Sequence, residues 1–483
     1  MTFENTKFLK KTKIVATIGP ASDTKYILTK LICAGVDVLR INFSHADHEE
    51  TARRIKLARE INSEYGFNTT ILADLQGPKL RIGNVKENVL INKGDILTFT
   101  NEKVEWGQTK VYMTYQNFAK DVKIGERILL DDGKLVFECI ETNGKDIVRA
   151  QVVQGGLLKS KKGVNLPNTQ ISLPALTEKD IQDARFAIEQ GVDWIALSFV
   201  RYKKDLIDLK ELIQKYTNHF VPIIAKIEKP EAIQNIDGIV THCNGLMVAR
   251  GDLGVEIPLE EVPLIQKKLV DKAKMARIPV IIATQMMESM LNNLTPTRAE
   301  VNDVANSVLD GADALMLSAE TSVGQYPIEV VTQMSKIIRQ TEDDPRIHVP
   351  RYKPTIQKSE DQKYITNRMC YTATKLAEQA KVKTIVTLTH TGYNTFQISS
   401  HRPPTHILAF TDNPRILCIL NLLWGVIAFN YDKIVNTDDT IEDINQIAKK
   451  AGFLEKGDYV VNLSSMPVAE KGNSNTIRLS EIS

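Results

Sequence analysis

A chain of 483 residues and 54.2 kDa, 43% apolar and 25% charged, has material for about three domains at roughly 150 residues each and can bury its own core without structural metals or disulfides. Lys and Arg total 61 against 59 Asp and Glu, a formal charge of +2, so no basic surplus marks a nucleic-acid binder, and the apolar fraction excludes a disordered chain. The five cysteines are far apart with no CxxC pair, which argues against a disulfide framework and against thiolate zinc.

The opening MTFENTKFLKKTK lacks the apolar run of a secretory leader. Short β-branched runs, each followed by an amphipathic stretch, then recur at 13–18, 36–42, 69–74, 193–199, 221–227, 245–249, 279–284 and 312–318. Near-continuous apolar strands alternating with helices predict a parallel sheet covered on both faces, and eight such units fit a closed (β/α)8 TIM barrel. The pattern breaks between Pro78 and Pro174, where Gly- and Val-rich pieces such as NVLINKGDILTFT and ERILLDDGKLVFECIE predict an all-β insertion after the third strand. An insertion there lies on the catalytic face, where a lid excludes water.

After the eighth strand, TSVGQYPIEVVTQMSKIIRQTEDD reads as a closing helix and 344–362 as a polar link. Helix and strand alternate again to the end. The longest apolar stretch, Ile416 to Phe429, is short for a bilayer and interrupted by Asn421 and Gly425, so a cytoplasmic protein with no membrane partner is expected. The predicted fold is α/β: a barrel from 1–78 and 175–345, a β-barrel-like lid domain from 79–174, and a C-terminal open-sheet α/β domain from 346–483.

Barrel chemistry sits at the C-terminal ends of the strands. Those ends carry Gly19–Pro20, then Arg40, Asn42, Ser44 and His45, then Asp74, Ser198 with Arg201, Lys226 with Glu228, Arg250–Gly251–Asp252, Thr284–Gln285, and Ser318 with Glu320. Asp74 and Ser318 also fit helix caps. Lys226 and Glu228, two apart on a strand, point the same way and suit either a plain ion pair or a cation beside a metal-binding carboxylate. Glu228 with Asp252 makes a two-carboxylate oxygen site suited to Mg2+, and the absence of a His cluster disfavours zinc.

The segments KIVATIGPAS, VLRINFSHA, ADLQGPKLRIG, LDDG, KKGVNLP, LSFVR, AKIEKPEA, MVARGDLGVE, ATQMMESM and MLSAETSVGQYP resemble, in this order, those of the pyruvate kinase family. The resemblance runs from about Lys11 to the C-terminus. It implies phosphoryl transfer from phosphoenolpyruvate to ADP, giving pyruvate and ATP, with Mg2+ or, as a substitute, Mn2+. It implies that Glu228 and Asp252 hold the metal, that Lys226 and Arg40 face the transferring phosphoryl group, and that Arg81 serves the nucleotide phosphate. The amides from Ala249 through Arg250 and Gly251 to Asp252 would bind the substrate carboxylate. Thr284 would help deliver the proton, with Ser318 and Glu320 around it. Pro20, Asn42, His45 and Lys162 would contact nucleotide, and the family assembles as a homotetramer.

Two departures from the family pattern matter. Potassium-requiring members use residues matching Asn42, Ser44, Asp74 and the Leu75 carbonyl, with a Glu where this chain has Lys79. The segment Asp74–Ile82 resembles the potassium-independent branch instead, and a tethered ammonium can supply the charge of a monovalent cation; no K+ requirement is expected. In the C-terminal domain, Thr389, Thr391, Gly392 and Asn394 match the family's phosphate loop for a sugar-phosphate effector. Asn394 replaces the usual hydroxyl residue, His390 a common Lys, and Met466 a Trp of bisphosphate-activated members, which points to a monophosphate effector or a plain helix cap. The rival readings are another Mg2+ barrel enzyme of aldolase or mutase type and a catalytically silent homologue.

Overall fold

The computed structural model describes residues 10–44, 46–86, 89–104, 109–344, 362–433, 436–466 and 474–483. Eight parallel strands close a barrel: Lys13–Thr17, Val38–Asn42, Thr70–Asp74, Trp194–Leu197, Ile223–Ile227, Gly245–Ala249, Val280–Ala283 and Ala314–Leu317. The first strand closes on the last, with Ala16 opposite Leu317. Alternate residues serve two cores. Ile14, Leu39, Ile41, Ile71 and Ile195 pack outward against the helices, whereas Val15, Val38, Leu72, Ile224 and Met247 fill the interior.

Local signals explain where the covering helices start and stop. Thr177 and Asp180 form a capping box at the head of Glu178–Glu189, as Thr297 and Glu300 do for Arg298–Asp310. Asp47 caps His48–Tyr65, which ends at Gly66 in the left-handed conformation.

The chain leaves the barrel after Thr70–Asp74 and builds a six-stranded sheet, Ile96–Thr100, Lys110–Tyr112, Arg127–Leu130, Leu135–Thr142, Ile147–Gln154 and Val164–Asn165, with its own apolar core around Phe99, Phe118 and Phe137. A smaller ribbon pairs Val89–Ile91 with Gly156–Leu158. Sequence reading did not mark the strand Lys110–Tyr112 or the helix Phe118–Asp121, each too short to show a period. Gly77 forms the exit: its φ is +70° and a side chain there would meet Phe199 at 2.8 Å.

Residues 362–483 form a five-stranded sheet, Val426–Asn430, His406–Thr411, Thr384–Leu388, Tyr459–Ser464 and Thr476–Glu481 in spatial order, parallel except for the last strand. This domain docks on the N-terminal ends of the barrel strands, away from the catalytic face. Trp194 Nε1 donates to Ile419 O at 3.2 Å, Asn421 Nδ2 to Asp37 O at 2.9 Å, and the buried Arg402 pairs with Asp313 at 3.0 Å. Among the described residues no helix is long and apolar enough to cross a membrane.

Candidate active site

The interior alternation decides which side chains meet above the core. Two residues beyond Val15, Val38, Leu72, Ala196 and Ile224 come Thr17, Arg40, Asp74, Ser198 and Lys226, all buried and on the same inward column. They form one network. Asp74 accepts from Arg40 Nε at 2.6 Å and lies 3.0 Å from Lys226 Nζ. Arg40 also donates to Thr17 Oγ1 at 2.9 Å. Lys226 donates to Ser198 Oγ at 2.6 Å and lies 3.0 Å from Glu228 Oε1. Ser198 in turn donates to the Leu75 carbonyl at 2.7 Å.

The network explains the charge states. Burial alone would raise the Asp74 carboxyl, but Lys226 and Arg40 outweigh it and hold it below the usual range. Burial likewise opposes a charged Lys226, and Asp74 with Glu228 overcomes it, so the ammonium is held more tightly than usual. Glu228 is different: burial raises its carboxyl to about 7, Lys226 pulls it back, and Asp252 adds to the rise. A divalent cation between Glu228 and Asp252 would relieve that repulsion. Asp252 is exposed to the cleft and takes no hydrogen bond from another side chain among the described residues. One anchored and one available carboxylate are oxygen ligands of the kind that Mg2+ takes.

Three of the non-glycine residues with positive φ lie here. Phe199, Thr284 and Gln285 adopt φ of +53°, +70° and +54°, a region unfavourable for non-glycine residues. The first brings Phe199 N to Glu228 Oε2 at 2.6 Å. Thr284 Oγ1 accepts from Gly251 N at 2.7 Å, and a side chain at Gly251 would crowd it at 3.2 Å. The Arg250 guanidinium turns away to a two-pronged pairing with Asp303, both contacts at 2.7 Å, so any substrate role of Arg250 falls to its backbone. Glu320 accepts from Ser318 N at 2.6 Å and from Met287 N at 3.3 Å, so it braces the loop that bears Ser318; burial raises its carboxyl.

The insert supplies the mouth. Lys79, Asp132, Arg201, Lys229, Asp252 and Glu256 line a cleft between insert and barrel. Desolvation in the cleft and the Arg81 guanidinium lower the Lys79 ammonium, against the pull of Asp252. Arg81 donates to Lys161 O at 2.8 Å, and Lys162 pairs with Asp131 at 2.7 Å, which lowers the Asp131 carboxyl. Pro20 is exposed at the rim, and Asn42 Oδ1 accepts from Ser44 N at 3.1 Å. His45 lies outside the described residues.

In the C-terminal domain, Thr389 Oγ1 accepts from Gly392 N at 2.9 Å, and Thr391 Oγ1 from Tyr393 N at 3.4 Å, at the start of the helix Tyr393–Ser400. Asn394 is the second residue of that helix, and its side chain points inward. It is 6% exposed, and its amide donates inward to Thr387 Oγ1, Leu388 O and Ser474 Oγ, which leaves no donor for an effector. Residues 467–473 lie outside the described residues.

Sequence reading missed Thr17, Lys229 and Glu256 and gave Ser198 no role. The signal for Thr17 was the inward alternation of Lys13–Thr17; Lys229 and Glu256 had none, because they meet across 27 residues of chain.

Buried cations and carboxylates at the open end of a barrel, under a β-rich insert, have the arrangement of a barrel enzyme's active site. The family model described as "Pyruvate kinase, barrel domain" matches residues 9–331, and "Pyruvate kinase, alpha/beta domain" matches 367–480. A pyruvate kinase of Corynebacterium efficiens is 42% identical over 475 residues, covering 97% of each chain. One from Geobacillus stearothermophilus is 42% identical over 479 residues, covering 98% of this chain and 81% of that one. The solved structure of a pyruvate kinase from Cryptosporidium parvum superposes with a TM-score of 0.91 at 32% identity, covering 99% of this chain and 98% of that one. The chain belongs to the pyruvate kinase family, whose members are phosphotransferases.

Proposed function

We propose that this chain transfers the phosphoryl group of phosphoenolpyruvate to ADP with Mg2+, for which Mn2+ can substitute, and that it needs no K+. The observation that carries the reading is the buried network of Arg40, Asp74, Lys226 and Glu228 beneath the exposed Asp252. Phosphoryl transfer demands positioning and charge neutralisation more than covalent catalysis. Glu228 and Asp252 would hold the metal ion, which supplies positive charge against the substrate's phosphate and carboxylate. Arg40 and Lys226 neutralise the phosphoryl oxygens as the bond between phosphorus and the enol oxygen breaks, leaving that oxygen on carbon as the enolate, and phosphorus bonds to the terminal oxygen of ADP. Lys226 then faces the enolate oxygen, and Thr284 directs a proton, through water, to the methylene carbon to give pyruvate. The amides from Ala249 to Asp252 orient the substrate carboxylate, which takes over the Gly251 N–H that donates to Thr284 Oγ1 in this structure. Pro20, Asn42, His45, Arg81 and Lys162 form the nucleotide side, and residues 79–174 act as the lid that excludes water.

Independence from K+ rests on Lys79 and on the pairings around it. The Asp74 carboxylate is already matched by Arg40 and Lys226, and the Leu75 carbonyl accepts Ser198 Oγ. Residues 346–483 serve assembly into a homotetramer and, through Thr389 to Gly392, a phosphate-bearing effector. The test is pyruvate formation from phosphoenolpyruvate, ADP and Mg2+ in tetramethylammonium buffer, with and without KCl. Full activity without K+ is expected, and Lys79→Glu should make activity depend on added KCl. Activity of the parent chain only after K+ addition sinks the tethered-cation reading but keeps the reaction; no pyruvate in either buffer sinks the reaction itself.

A further inference from the structure

One buried carboxylate at the cleft is used by none of these steps. Glu256 ends the helix Arg250–Glu256, one turn beyond Asp252, and is 4% exposed. Its Oε1 accepts from Lys229 Nζ at 2.6 Å and from Asn165 Nδ2 at 2.9 Å, while Oε2 is buried with no hydrogen-bond partner. Its partners come from two further segments. Lys229 directly follows Glu228. Asn165 belongs to the insert strand Val164–Asn165, which pairs with Arg127–Leu130 just before the Asp131–Asp132 turn. A second bridge between insert and barrel is Arg201, whose guanidinium donates to the carbonyls of Ile171 and Leu173 where the insert returns to the barrel.

We propose that Asn165, Glu256 and Lys229 form a latch that seats the lid on the two segments carrying the metal carboxylates, with Glu256 and Lys229 as positioning residues. The Lys229–Glu256 pair ties the end of Ile223–Ile227 to the helix of Asp252 and so fixes the spacing between Glu228 and Asp252. Asn165 makes that joint sense the lid. Lifting the lid removes the amide donor and leaves a buried carboxylate with Lys229 as its remaining partner. A hydrogen bond to a charged group biases the seated lid by about tenfold. Arg201 grips backbone at the return point and acts as the hinge clasp. The division of labour is chemical: the hinge end is held by carbonyls that any sequence provides, the moving end by one specific side chain.

The inference rests on the reading that Glu228 and Asp252 hold the ion. Direct Mn2+ binding to the unaltered chain, followed by electron paramagnetic resonance, tests that reading separately. The latch is tested in the full chain with Asn165→Ala and Asn165→Asp, measuring KM for ADP, kcat, amide hydrogen exchange over 161–166, Mn2+ affinity, and exchange of the pyruvate methyl protons with solvent. Asn165→Ala should raise KM for ADP about five- to tenfold and speed amide exchange. Asn165→Asp should be worse, because its carboxylate faces Glu256. Mn2+ affinity and methyl exchange should stay within about twofold, since the Lys229–Glu256 tie remains. Unchanged KM and amide exchange in both variants overturns the latch. Equal loss of Mn2+ affinity, methyl exchange and phosphoryl transfer also overturns it, because Asn165 would then be a support of the metal site and not a link to the lid.

Discussion

Asp74 offers the sharpest test of the charge network, because it serves two cations at once. Asp74→Asn is nearly isosteric but leaves Arg40 and Lys226 facing each other across a neutral amide, with Glu228 as the remaining buried anion of the network. Each broken contact, at 2.6 and 3.0 Å, was a charge-assisted bond at a site 1% exposed. Removing one partner of a buried pair costs about 3–5 kcal/mol, far more than an exposed pair. Part of that cost falls on folding. Part falls on the reaction, because the amide can accept from one cation and must present its NH2 to the other, so Arg40 and Lys226 no longer share one fixed geometry. The expected result is a fall in kcat of about a hundredfold, equal to about 2.7 kcal/mol of transition-state stabilisation, with unchanged far-ultraviolet circular dichroism and a lower urea midpoint. A lactate dehydrogenase-coupled assay at saturating substrates, with urea titration of the same preparations, measures both. A variant with kcat within threefold of the parent refutes the argument, whatever its midpoint, since Asp74 would then support the barrel without organising the reacting cations.

Two further outcomes follow from the same groups and from a buried histidine. Glu228→Gln should weaken Mn2+ binding by at least about tenfold, read by electron paramagnetic resonance in the absence of substrate, because it removes an anionic oxygen ligand; undiminished binding would assign the ion elsewhere. Burial, with Lys11 and Lys13 close by, lowers the His406 imidazole to about 4, against about 6.5 in the unfolded chain. As pH falls below about 6.5 the unfolded chain takes up a proton that the folded chain refuses, so stability present at pH 8 is lost towards pH 4, by about 2 kcal/mol at pH 5. His406→Phe should reduce the fall in urea midpoint between pH 8 and pH 5, and an equal fall in both proteins would discard His406 as the cause.

That the barrel's strand-end side chains face one another was legible because barrel strands are short and strictly alternating. Once Thr70–Asp74 and Ile223–Ile227 are read as strands, Asp74 and Lys226 follow from counting, and the closed barrel with its C-terminal α/β domain is the architecture observed. What the counting could not give is pairing at a distance. Counting leaves Asp74 open between a helix cap and a site residue, and it does not show Arg40 and Lys226 on its two oxygens. Asn165 and Glu256 are 91 residues apart and come from different domains, so no local period links them. Asn394 shows the same limit at short range: the sequence places it near a phosphate-loop pattern, but not which way its amide turns, which is towards buried hydroxyl and backbone oxygens from the second position of the helix Tyr393–Ser400.

That contrast also explains how one chain can hold so many like charges in a small volume. Each buried cation of the site has a carboxylate acceptor: Arg40 finds Asp74 on the adjacent strand, and Lys226 finds Glu228 just past the end of its own strand and Asp74 two strands away across the barrel mouth. Adjacent parallel strands in register bring residue n of one beside a fixed residue of the next, Asn42 opposite Asp74 and Lys226 opposite Met247. The barrel therefore fixes its charge pairs through backbone hydrogen bonding before any side chain chooses a rotamer. The insert has no such register with the barrel. Its seating must come from side chains, which is why single residues such as Arg201 and Asn165 carry that junction and why changing one of them should alter lid position while leaving the barrel network intact.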